Sequence, residues 1–89
     1  MKNKVTREEL AEVSGNPDML FCDGFDSALM GFVHRSGMTP VACYSVAKMV
    51  ETLKKDMTEE EAFEYLEFNV FGAYVGEFTP VFFEGPYGE

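Results

Sequence analysis

Residues 27–53, SALMGFVHRSGMTPVACYSVAKMVETL, change their hydrophobic period once, and that change decides the fold class. From Ser27 to Arg35 the side chains alternate. Ala28, Met30, Phe32 and His34 fall on one face of an extended chain, and Leu29, Gly31, Val33 and Arg35 on the other. Ser36-Gly37-Met38-Thr39 reads as a reversal and Pro40–Tyr44 as the return, which predicts a β-hairpin. At Ser45 the period switches. Val46, Met49, Val50 and Leu53 recur at i, i+3, i+4 and i+7, the spacing of a helix that buries one face. Ser45 is its N-cap, and Lys54 and Lys55 suit its C-terminal end through the macrodipole.

Upstream, Thr6 and Glu9 form a capping box and Gly15 sits where the helix they open should stop; Leu10 and Val13 give it one apolar stripe. Asn16-Pro17-Asp18 breaks that helix, Met19–Cys22 is a short apolar run, and Asp23-Gly24 is a turn signal. Downstream, Thr58 and Glu61 make a second capping box, and the spacing predicts a helix over 59–71 with three glutamates in its first turn. Ala62, Phe63, Leu66, Val70 and Ala73 line one side of it, while Glu60, Glu64 and Glu67 line another. Asn69 falls beside the apolar stripe, where a half-buried amide needs a bond to nearby backbone. Gly72 and Gly76 supply positive φ or close backbone approach at the helix exit. Thr79–Phe83 is a final strand, with Pro80 at its start or on an edge.

The order predicts an α+β domain of two layers: a three-stranded antiparallel sheet, hairpin plus C-terminal strand, packed against two or three helices. The expected boundaries are a disordered 1–5, a single domain over 6–84 and a flexible tail over 85–89. A hydrophobic content of 46% is ample for one core in 89 residues, and too little chain remains for a second.

Charge narrows the function. Residues 51–89 hold ten acids and two bases, which supplies −8 of the net −9. Nucleic-acid binders carry the opposite sign, so no direct nucleic-acid binding is expected, and an anionic leaflet would repel the chain. The start MKNKVTREEL has no apolar run behind its basic residues, and no stretch approaches a membrane span. The expected location is therefore a cytoplasm, with Cys22 and Cys43 as reduced thiols.

No chemistry-bearing constellation emerges. His34 is the only histidine and no CxxC occurs, so no metal site or cofactor is expected. Asp23, Asp26, Glu67 and Glu77 are the acids to consider as hard-cation ligands or an acid/base pair, but their spacing does not demand it. The serines lack a nucleophile-elbow context, and the chain is not expected to be an enzyme.

Aromatic content is the remaining signal. Phe68 and Phe71 do not fit the inward stripe of the 59–71 helix, and Phe82 and Phe83 cannot both face one side of a strand. The surplus predicts a second buried surface, either self-association as a homodimer or higher oligomer or a partner site. Glu60, Glu64, Glu67, Phe68 and Phe71 are the candidate partner-binding residues: an aromatic anchor beside an acidic rim. Asp23, Gly24, Asn69, Gly72 and Gly76 are the candidate turn or structural polar residues.

DGFDSALMGF (23–32) and then VETLKKDMTEEEAFEYLEFNVFGAYVGEFTPVFF (50–83) resemble a family of small uncharacterised proteins from tailed-phage genomes. The similarity covers about residues 18–84 and is most specific from Asp56 to Pro80, where Glu67-Phe68-Asn69-Val70 leads into Gly72-Ala73-Tyr74-Val75-Gly76-Glu77. Asp23-Gly24 matches the family's turn and Phe25 the aromatic after it. The family has no established activity, so the resemblance implies no catalytic residue or cofactor. It implies a phage origin and a place in the cytoplasm of an infected bacterium. The expected function is then docking on a host or phage protein and modulating it. A nucleic-acid mimic that inhibits a host defence nuclease, of the anti-restriction or anti-CRISPR type, and a virion or assembly component are the alternatives.

Overall fold

The computed structural model describes residues 6–85; the disorder expected for 1–5 and the tail beyond Gly85 lie outside the described residues. The elements are α1 (Arg7–Ser14), a 3₁₀ turn (Asp26–Ala28), β1 (Leu29–Arg35), β2 (Met38–Ser45), α2 (Val46–Leu53), α3 (Glu59–Leu66) continued by a π-helical segment (Glu67–Phe71), and β3 (Val81–Phe83). This is the small α+β domain that the change of period announces.

The α2 and α3 caps form as their chemistry requires, and the capping box expected at α1 forms only in part. Thr6 Oγ1 accepts from the Glu9 amide without the reciprocal Glu9 bond, Ser45 Oγ accepts from the Lys48 amide, and Thr58 with Glu61 makes both bonds of a capping box. Gly15 ends α1 in the left-handed region, at φ 77°. Asn16 is buried and ties the α1 exit to the sheet, its side-chain amide donating to the Pro40 carbonyl at 2.9 Å. Val13 departs from the expected stripe: it stays exposed, and Leu10 is the one buried residue of α1.

The hairpin forms with Ser36-Gly37 at its turn, but β1 does not alternate strictly. Leu29 pairs with Tyr44 and Gly31 with Cys43, so Met30 is an extra residue on β1. That bulge lets Leu29 and Phe32, at an odd spacing, both pack on the main core, and it leaves Met30 exposed.

The sheet order is β1-β2-β3, and β3 lies parallel to β2, with Cys43 opposite Val81 and Ser45 opposite Phe83. The expected antiparallel third strand is thus corrected: the sheet is mixed. The reason is the connection. Parallel neighbours need a crossover of a dozen residues or more, and α2, α3 and the π segment supply one between Ser45 and Val81. The central strand is buried from Val41 through Ser45. Ala42 and Tyr44 face the core, where they meet Leu10, Phe25, Leu29, Met49, Ala62 and Leu66. By alternation Val41 and Cys43 face the other way.

Candidate functional site

The helical run from Glu59 to Phe71 presents two different surfaces. Ala62 and Leu66 are fully buried and Phe63 and Val70 partly so, which is the expected inward stripe; Ala73 lies past the helix and is exposed. On the outer side Glu60, Glu64 and Glu67 are all exposed, and Phe68 is 82% exposed. Among the described residues the only ion pairs belong to Arg7, so these three carboxylates make none there.

Phe71 behaves differently from Phe68. Its ring lies 4.9 Å from that of Phe82, which in turn stacks toward Tyr44 at 6.2 Å. The π segment explains this. A turn closed by i→i+5 bonds holds one more residue than an α turn, so Phe71, five residues after Leu66, comes round toward the buried side. Asn69 is exposed rather than half-buried, and its amide donates to the Tyr65 carbonyl at 3.1 Å. Gly76 does adopt positive φ (116°), whereas Gly72 has φ −86° and needs no such freedom.

Two grooves flank Tyr65 and Asn69. One is shallow and is lined by Met57, Tyr65 and Phe68 together with Glu61 and Glu64. The other, of about 240 Å³, lies between the π segment, residues 20–25 and residues 73–80; Phe21, Val70, Val75 and Phe82 make its walls apolar. Tyr65, Met57 and Val75 were not singled out in the sequence. The available signal was Tyr65 at i−3 from Phe68, a second apolar pair off the inward stripe.

The loop beside the second groove is clamped by Arg7. Its guanidinium donates to Asp26 at 2.8 Å, to Asp23 at 3.2 Å and to the Cys22 carbonyl at 3.0 Å, and lies over the Phe21 ring. Gly24, at φ 88°, makes the turn between the two aspartates. The Cys22 amide donates to Tyr44 Oη at 2.8 Å, which pins the loop to the central strand. Burial pushes the Cys22 and Cys43 thiols up, so at neutral pH both are protonated and poor nucleophiles. Among the described residues no three His, Cys, Asp or Glu side chains converge as metal ligands. No described helix is long and apolar enough to cross a membrane.

No protein-family model matches the chain, and neither a curated protein nor a solved structure is similar to it.

Proposed function

We propose that this protein works by contact, docking on another protein through the outer face of α3 and the π segment. One observation carries the reading: Tyr65 and Phe68 are exposed and line one groove with Glu64, which makes no hydrogen bond or ion pair among the described residues, and Tyr74 and Val75 are exposed just past the π segment. Single exposed apolar residues are ordinary, but a cluster of large ones rimmed by charge marks an interaction surface. Phe68 is the expected anchor and Tyr65 its neighbour, with Glu60, Glu64 and Glu67 as rim. Phe71 supports the surface from behind through Phe82. The resemblance to tailed-phage proteins sets the scene as an infected bacterium and the partner as a host or phage protein whose activity is modulated.

The exposed row Glu60, Glu64 and Glu67 favours a second reading, mimicry of a phosphate backbone toward a nucleic-acid-binding protein. Seven residues of helical rise spread these acids over about 10 Å. Capture from bacterial lysate by the wild type, by Phe68→Ser and by Glu64→Lys/Glu67→Lys separates the two. Loss of a discrete partner with Phe68→Ser, at unchanged thermal midpoint, supports docking on the aromatic face. Loss with the charge reversals alone, together with elution by moderate salt, transfers the function to mimicry.

A further inference from the structure

The two grooves meet on the Tyr65–Asn69 ridge, and their chemistries differ. On that basis we infer that the partner presents a cationic amphipathic peptide segment: an arginine or lysine lies in the groove over Tyr65 and Phe68, and a large apolar side chain enters the groove beside Val70 and Phe82. The inference rests on the docking reading above and names the chemistry of its occupant.

The carboxylate that pairs with the cation is identifiable. Glu61 already accepts the Thr58 amide at 3.0 Å in the capping box, whereas Glu64 makes no hydrogen bond or ion pair among the described residues. A guanidinium can stack on the faces of Tyr65 and Phe68 and at the same time reach the Glu64 carboxylate in bidentate fashion, which a hydrated ammonium does less well. Asn69 uses its amide nitrogen on the Tyr65 carbonyl, and its Oδ1 has no partner among the described residues. That oxygen stands on the ridge where it accepts a backbone N–H of a segment crossing from one groove to the other. The π-turn that carries Asn69 is itself a geometry that recurs at functional sites.

A second copy of this chain is the competing occupant, and charge decides against it. Each copy carries −9. Among the described residues the lysines a copy would offer, Lys48, Lys54 and Lys55, lie on or just after α2 with Glu51 among them. Complementarity therefore points to a different, basic chain.

The test is selection from a displayed random-peptide library on the immobilised full chain at low salt, followed by anisotropy titration of the synthetic consensus. Glu64→Lys, Phe68→Ser and Val75→Glu alter exposed side chains, and matching thermal midpoints confirm their fold. The expected consensus pairs Arg or Lys with Leu, Phe or Trp a few positions away. Its affinity falls about tenfold with Glu64→Lys and with Phe68→Ser, falls also with Val75→Glu, and weakens with added salt. An apolar consensus that loses affinity with Phe68→Ser but ignores Glu64→Lys overturns the cationic occupant and leaves the docking surface standing. A consensus without a cation that ignores Phe68→Ser, or no enrichment at all, overturns both.

Discussion

Tyr44 shows how one buried side chain joins the loop to the sheet. It is fully buried on the central strand, its hydroxyl oxygen accepts the Cys22 amide, and its ring meets Phe82. Burial pushes its phenol up to about 12. Because the folded value lies above the unfolded one, the stabilisation is complete below the ordinary phenol range, about 10, and is lost as pH rises from there through about 12. Two units correspond to about 2–3 kcal/mol. Urea midpoints measured from neutral pH to above pH 12 should therefore fall over that window in the wild type. Tyr44→Phe should start lower, by about 1–3 kcal/mol, because the Cys22 amide loses its acceptor. The same variant should lack this part of the alkaline slope. Equal slopes in the two proteins would mean that the Tyr44 phenol ionises without penalty. The tie itself could not be read in the sequence: Cys22 and Tyr44 are far apart along the chain, and no local pattern announces that the two will meet.

At the scale of elements, what the sequence shows and what it hides divide along a physical line. Caps, helix stripes and the hairpin depend on neighbours within a few residues, and Ser45, Thr58 with Glu61, Gly15 and the Ser36-Gly37 turn all behave as their chemistry implies. The direction of β3 depends on where two helices carry the chain, so nothing within Val81–Phe83 could reveal it. The π segment stands between these cases. Its trace in the sequence is that Phe71 fits the inward stripe poorly, and the wider turn is how that misfit is resolved against Phe82. The caps differ in strength in a way that can be measured. Thr58 and Glu61 satisfy two backbone donors reciprocally, whereas the hydrogen bonds at the α1 cap show only Thr6 accepting from Glu9. Thr58→Ala should cost about 1 kcal/mol and Thr6→Ala less. In amide exchange, Thr58→Ala should loosen the first turn of α3 ahead of β2. Loss of binding by Thr58→Ala in step with that fraying would tie the helix start to the proposed surface.

For the whole molecule, two tendencies oppose each other on one surface. The exposed rings, with Phe68 foremost and Phe83 half exposed at the sheet edge, favour association between copies. The charge opposes it: two bodies carrying −9 each, with centres about 30 Å apart, repel by about 10 kcal/mol in water without salt. Full burial of one phenylalanine returns only about 1.5–3 kcal/mol, so contact between the two Phe68 rings alone does not offset that repulsion. Screening changes the balance, because the Debye length falls from about 30 Å at 0.01 M to about 3 Å at 1 M salt while the apolar term persists. Sedimentation velocity at neutral pH should therefore show a monomer at low ionic strength and a growing dimer or higher species as sodium chloride is raised. Phe68→Ser should remove that species, and Glu64→Lys/Glu67→Lys should bring it to lower salt. A dimer that is already complete at low salt and indifferent to both changes would place self-association on another face. The outer face of α3 would then be left for a different chain, with the acidic rim keeping copies apart until a basic partner arrives.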